Sequence, residues 1–224
     1  MNNTVLLIET STECCSAALA QNGEIIAKKA TTEPRQHAGK LVPFIKEVLD
    51  QANCSIDMCD AVAVSSGPGS YTGLRVGVSA AKGICFGTGI PLISIPTTDV
   101  LAWQGNGKAD FIVPMIDARR MEVYSAVYSG NTLERITDIQ ADILDESSHS
   151  DILAKGTVLF IGDDVNKFKA VCTNPNAKFE TAFPLAEAMA YEATRRLKNR
   201  QFEDVAYFEP FYLKEFVPGI AKKK

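Results

Sequence analysis

The decapeptide Ser66-Gly67-Pro68-Gly69-Ser70-Tyr71-Thr72-Gly73-Leu74-Arg75 has the composition of a loop that could do chemistry. It joins an apolar run to a helical pattern through glycines, which let a backbone or a ligand approach closely. A helix N-terminus there would expose amides that favour an anion. It is not a Walker loop, because Gly73 is followed by Leu74 and Arg75 where Lys and Ser or Thr would hold phosphate and Mg²⁺. Its G-x-G-x-x-x-G spacing is too long for a dinucleotide fingerprint, and no acidic ribose anchor follows at the required remove. On these residues a bound anion and a purely structural tight turn both stay open.

Other reactive side chains carry less information. Cys14, Cys15, Cys54, Cys59, Cys85 and Cys172 lie in or beside apolar stretches without paired short spacings, which reads as reduced structural thiols. Cys54 and Cys59 lack a second pair or a nearby His to complete a tetrahedral zinc set. The two histidines, His37 and His149, fall in unrelated segments. His37 has no carboxylate or nucleophile of catalytic character beside it and reads as a helix-start or interface residue rather than a general base.

Composition narrows the partners. Twenty-three Lys and Arg against 27 Asp and Glu give a net charge of -4 and a sequence pI near 5.3, which excludes a broad electropositive surface for a nucleic-acid backbone. The basic run Lys222, Lys223, Lys224 reads as a solvated tail. A hydrophobic content of 46% is enough for a sizeable core. Without a targeting pattern or an apolar run of bilayer length, the expectation is a soluble cytoplasmic protein with no membrane partner.

The elements that must position the glycine loop are readable from periodicity. Residues 4–8, 15–20 and 24–29 are β-rich runs, the last two joined by Asn22-Gly23, whose tolerance of positive φ signals a tight hairpin. Leu41, Ile45, Val48, Leu49 and Ala52 recur at helical spacing. Residues 60–65 form a nearly continuous apolar run, as in a strand covered on both faces. A helix over residues 69–86 and a strand over 92–95 follow. Polar residues 104–108 mark a hinge, after which strands at 111–116 and 122–128 and a turn at Gly130-Asn131 restart the opening layout. The chain therefore reads as a duplicated α/β fold, residues 1–105 and 106–224, with the C-terminal helix or tail returning to the first half. Residues 138–155 resist interpretation, 158–161 read as a strand, and 184–197 as a strong helix. The aromatic-rich residues 207–217 are expected to pack back onto the body.

The helix after the glycine loop holds Gly73, Gly77, Gly83 and Gly87. Each interior glycine costs about 1 kcal/mol relative to alanine, so several together call for close packing. Small residues four apart offer a strip to another backbone, either the chain's own or a partner's.

Five segments together resemble one family. IETSTECCSAAL from Ile8, SSGPGSYTGLRVGVSAAKG from Ser65, PLISIPTT from Pro91, IDARRMEVYSAVY from Ile116 and EPFYLK from Glu209 follow the order and spacing of the TsaB (YeaZ) proteins from end to end. The resemblance implies the actin-like ATPase (ASKHA) fold, built from two RNase H-like subdomains with mixed sheets. It also implies a non-catalytic subunit without a cofactor. Its partner would be TsaD, the paralogue that transfers threonylcarbamoyl to tRNA adenosine, with the small ATPase TsaE joining the complex and tRNA met only indirectly. TsaD-like proteins carry an H-x-x-x-H metal motif after the strand matching residues 92–95; this chain has Thr97 and Leu101 there, and leucine cannot ligate a metal.

The same resemblance singles out two carboxylates. Actin-like ATPases commonly place aspartate after the first strand to hold a metal-bound water near phosphate. Here Glu9 stands one methylene longer, and Asp117 keeps the shorter side chain in the second half. Glu9, Asp117, Gly67 and Gly69 are thus the nucleotide or anion candidates, against the alternative that the carboxylates satisfy turn amides. The leading expectation is an interaction subunit whose first two helices pair with those of TsaD or of a second copy, through Leu41, Phe44, Val48, Arg75, Val76 and Ser79. The alternative is an actin-like ATPase or small-molecule phosphotransferase using the two carboxylates and the glycine loop. A metallopeptidase fails on the absent ligand pair.

Overall fold

A computed structural model describes residues 3–214. The first half runs β1 (Thr4–Glu9), β2 (Cys15–Gln21), β3 (Glu24–Thr31), α1 (His37–Gln51), β4 (Ala61–Gly67), α2 (Tyr71–Thr88), β5 (Leu92–Pro96) and α3 (Thr97–Gln104). The second runs β6 (Phe111–Asp117), β7 (Glu122–Ser125), β8 (Tyr128–Ser129), β9 (Gln140–Ile143), α4 (Ser150–Leu153), β10 (Val158–Gly162), α5 (Val165–Lys169) and β11 (Ala177–Thr181). A 3-10 turn at Ala186–Met189 leads into α6 (Ala190–Lys198).

Two mixed sheets organise these elements. The first has the order β3-β2-β1-β4-β5, with β1, β2 and β3 antiparallel and β4 and β5 parallel to β1. The second has the order β11-β10-β6-β7-β9, with β6, β7 and β9 antiparallel and β10 and β11 parallel to β6. Numbered from their own first strands, both sheets trace the path 3-2-1-4-5. This is the duplicated α/β architecture of two RNase H-like units that the resemblance implies.

Why β1 is apolar at almost every position follows from its place at the centre of a covered sheet. Leu6 and Ile8 point to one face, where they meet Leu41, Ile45 and Val48 of α1 and Val78, Ala81 and Cys85 of α2. Val5 and Leu7 point to the other, against Met189, Ala190 and Ala193. The chain's last helix thus covers the back of the first sheet rather than the second.

Several elements differ from the sequence reading: the strand expected over 122–128 stops at Ser125, and the helix expected over 184–197 begins at Ala190 after the 3-10 turn. Residues 104–108 were expected to be a hinge, but α3 extends through Gln104, and a side chain at Gly105 would meet Leu159 and Ile112 at 3.0–3.1 Å. Helix α3 escaped periodicity because it is buried nearly all round at Thr97, Thr98, Val100, Leu101 and Ala102, leaving no polar stripe. Helix α2 also runs past Gly87, ending at Thr88, because Gly89 is the residue in the left-handed conformation (φ 76°) that caps it.

The C-terminal segment returns across the first half as far as the description extends. Glu203 N–H donates to Leu92 O at 2.9 Å and Phe211 N–H to Ser66 O at 2.7 Å. Lys82 Nζ donates to the carbonyls of Ala206 and Phe208 at 3.2 and 2.8 Å. Of the aromatic run, Phe216 and Val217 lie outside the described residues, as do Lys222, Lys223 and Lys224.

Candidate functional site

Glu9 ends the central strand of the first sheet and is fully buried. Its Oε1 accepts from Ser11 N–H at 2.6 Å and from Ser65 Oγ at 2.9 Å, so β1 and β4 are tied at their ends. Burial pushes its carboxyl above the usual range, and the hydrogen bonds from Ser11 and Ser65 oppose that shift without reversing it. The carboxylate candidate is therefore enclosed by its own turn. Ser65 is a member of this cluster that residue types did not suggest, because its role depends on strand pairing.

The glycine loop is packed against the same turn. A Cβ at Gly69 would lie 2.2 Å from Ser11 O, at Gly73 2.1 Å from Thr10 O, and at Gly77 2.2 Å from Thr10 Oγ1. Thr10 Oγ1 in turn donates to Gly73 O at 2.8 Å. Gly67, at φ 107°, would place a Cβ 2.6 Å from Phe211 O. Gly67, Gly69 and Gly73 face carbonyl oxygens, which repel an anion, so Gly67 and Gly69 form no open phosphate cradle. The spacing signal is real, but the second backbone belongs to the chain itself. Farther along α2, a Cβ at Gly83 or Gly87 would meet nothing within 4 Å.

At the matching end of β6, Asp117 is about half exposed and accepts from Arg119 N–H at 2.7 Å and from Lys167 Nζ at 2.5 Å. Lys167 also pairs with Asp164 and donates to Glu122 O at 3.3 Å. Burial alone would raise the Asp117 carboxyl, but Lys167 and the Arg119 amide outweigh it and hold it below the usual carboxylate range. Asp163 accepts from Asp117 N–H at 3.1 Å, and burial pushes its carboxyl up to about 6. A lysine ammonium thus occupies the cation position among these carboxylates.

Thr97 and Leu101 sit four apart on one face of α3, both with 0% exposure. Among the described residues, no group of three or more His, Cys, Asp or Glu could hold a metal ion. His37 starts α1 with Nε2 2.8 Å from Thr12 O, and His149 is half-buried against Phe160 and Phe168. The six cysteines are free thiols, and burial pushes Cys14 and Cys59 up to about 12. No described helix is long and apolar enough to cross a membrane.

The two-helix face needs a correction. Leu41 (1% exposed) and Val48 (0%) point into the first sheet's core, because the stripe that makes α1 amphipathic is the stripe it buries. Phe44 and Val76 are half-buried at the edge of that core, while Arg75 and Ser79 are exposed. Arg75 stacks on Tyr71, 4.1 Å from its ring centre, and donates through Nε to Tyr212 Oη at 3.3 Å. Sequence reasoning missed Val42 (64% exposed) and Phe86 (87%), apolar residues that sit off the periodic stripe and therefore face outward.

Comparison with known proteins decides the family. A family model described as TsaD: tRNA N6-adenosine threonylcarbamoyltransferase matches residues 24–215. The tRNA threonylcarbamoyladenosine biosynthesis protein TsaB of Escherichia coli (strain K12) is 30% identical over 225 residues, covering 95% of each chain. The chain belongs to the TsaB family. Its Bacillus subtilis (strain 168) relative of the same description is 31% identical over 172 residues, 74% of this chain and 73% of that one. The crystal structure of an uncharacterized Pseudomonas aeruginosa protein with similarity to peptidase YeaZ superposes with a TM-score of 0.85 at 25% identity, over 95% of this chain and all of that one. YeaZ from Pseudomonas aeruginosa does so at 0.82 and 26%, over 94% of this chain. Within this chain the glycine loop packs on the β1 turn, and Val42 and Phe86 are among the exposed apolar side chains of the described residues.

Proposed function

We propose that this TsaB-family chain is a non-catalytic partner subunit in tRNA threonylcarbamoyladenosine biosynthesis, joined to a TsaD-type catalytic subunit through the outer faces of α1 and α2. The observation that carries the reading is family membership combined with Thr97 and Leu101 where a metal-binding pair would stand: one lacks a strong ligand atom, the other lacks any, and both are buried. Glu9 is enclosed and Asp117 is ion-paired, which favours a holding role over nucleotide hydrolysis. The outer face offers Val42, Phe44, Val76, Ser79 and Phe86, with Arg75 at its edge; burying about 1,600 Å² in total is ordinary for such a pairing. A TsaE-type ATPase joins the pair, the same helices pair two copies when the catalytic subunit is absent, and tRNA is met through the partner, consistent with the net charge of -4. The site of action is the cytoplasm.

Co-expression with the cognate TsaD-type subunit, followed by sizing, tests this. A heterodimer is expected for the wild type and should be lost in Val42→Glu and Val76→Glu variants that keep their thermal unfolding midpoints. Leu41→Glu is unsuitable because it would break the core. Heterodimer persisting in both variants rejects the face, and no association of wild type rejects the function. Modification of tRNA by the isolated chain would overturn the non-catalytic assignment.

A further inference from the structure

A cavity of about 490 Å³ lies where α3, the turn after β8, and α6 converge. Two of these elements belong to the first sheet's back layer and one to the second half. Its wall includes Trp103 and Tyr191, whose rings stack at 4.6 Å with planes 11° apart. Three guanidiniums line it, Arg135, Arg195 and Arg196.

The charges in this cavity are unequally committed. Arg196 is spent: Nε donates to Glu192 Oε1 and Nη1 to Ser94 O, each at 2.6 Å, and Nη2 lies 3.7 Å from Asp99. Arg195 gives Nε and Nη2 to Glu192 at 2.7 Å, which leaves Nη1. Arg135 stands 3.8 Å from Asp99, too far for a hydrogen bond. Asp99 is already engaged by Tyr128 Oη at 2.6 Å, and Tyr128 also donates to or accepts from Thr98 at 2.8 Å. Three carboxylates, Asp99, Glu134 and Glu192, stand against the three guanidiniums, so it is the hydrogen-bond donors left over, not an excess of charge, that the cavity offers. Unspent donors of Arg135 and Arg195 lie on the wall that also holds an aromatic pair.

We propose that this cavity binds a small organic oxyanion carried on a planar ring, such as an aromatic phosphate or carboxylate. Arg135 and Arg195 meet the anion, because planar guanidinium forks match oxyanion geometry. The ring packs beside the Trp103–Tyr191 stack, whose facing sides are already in contact. The cavity's size is within the range of small-molecule sites. Because Arg135 comes from the second half and Arg195 and Tyr191 from α6, a ligand there bridges the halves. None of this rests on the pairing with a catalytic subunit.

Trp103 is the single tryptophan in the chain, so intrinsic fluorescence reports on this cavity directly. Phenyl phosphate and benzoate are the probes, with inorganic phosphate and benzamide supplying the anion and the ring separately. Saturable change at millimolar or lower concentration is expected with at least one of the two probes, and a response at least tenfold weaker with either separate group. Arg135→Ala should weaken probe binding about tenfold, and Arg135→Lys should fall between it and wild type. Arg135 is exposed and only 3.8 Å from Asp99, so Arg135→Lys, which keeps the charge, should hold the wild-type unfolding midpoint and separates binding from stability. No saturable response to either probe, a response to inorganic phosphate or benzamide equal to the probes, or unchanged affinity in Arg135→Ala would each overturn the proposal.

Discussion

Glu9 at the end of β1 and Asp117 at the end of β6 occupy equivalent places in two copies of one strand path, but their surroundings are opposite. Glu9 is enclosed by Ser11 and Ser65, beneath a loop and helix in which Gly69 meets the Ser11 carbonyl and Gly73 the Thr10 carbonyl. Asp117 is half open and neutralised by Lys167 from a five-residue helix. A duplicated backbone therefore does not duplicate chemistry. What differs is how closely the following helix approaches: α2 comes to backbone contact and excludes everything else, whereas short α5 stays far enough away for a lysine to reach across. One strand-end carboxylate is enclosed and the other is ion-paired.

That contrast can be broken at its tightest point first. Gly73→Ala forces a Cβ to within 2.1 Å of a main-chain oxygen that cannot rotate away, and should cost about 3 kcal/mol by urea denaturation. A stability loss below about 1 kcal/mol would mean that α2 does not lie on the β1 turn as described. In the second half, Lys167→Ala leaves Asp117 and Asp164 without their cation. The cost should be about 2 kcal/mol near neutral pH, reduced from the buried-pair value because Asp117 is half solvated. The loss should shrink in acid, where the carboxylates protonate; a loss independent of pH would point to packing of the lysine stem instead.

Asp163 sharpens the comparison through pH. Its folded carboxyl titrates at about 6 against an ordinary 3.8, so the folded chain holds a proton that the unfolded chain releases. Its contribution is fully present below 3.8 and is lost as pH rises towards about 6. Asp163→Asn removes this titration and should gain on wild type by about 2 kcal/mol across that window, measured as the difference in unfolding free energy at its two ends. Equal pH slopes in variant and wild type would count against the burial of Asp163. The smallest effect belongs to the far end of α2, where Gly83→Ala meets no atom within 4 Å and should stabilise by somewhat under 1 kcal/mol. Opposite signs for Gly73→Ala and Gly83→Ala on one helix would separate packing glycines from those that only weaken it.

Much of the fold was readable from residue order. The Asn22-Gly23 hairpin, the apolar strands, the α1 stripe and the restart of the layout after residue 110 follow from turn chemistry and periodicity, which are local. Gly73 and Gly77 announced a close approach, because only a steric demand justifies their cost in a helix. Helix α3 was hidden because burial on nearly every side erases its stripe. Leu41 and Val48 were assigned outward although their own periodicity marks the buried face.

By itself, the sequence determined which residues must be inside and where the chain must turn, and it puts Thr97 and Leu101 where the family resemblance implies a metal-binding pair. Tertiary structure alone decided whose backbone lies against the glycines, that Lys167 reaches Asp117 across 50 residues of chain, and that α6 returns to cover the first sheet. The division has a physical cause. Conformational preference and hydrophobic periodicity act between neighbours along the chain, whereas enclosure of a carboxylate or pairing of charges depends on which distant segments the packed core brings into contact.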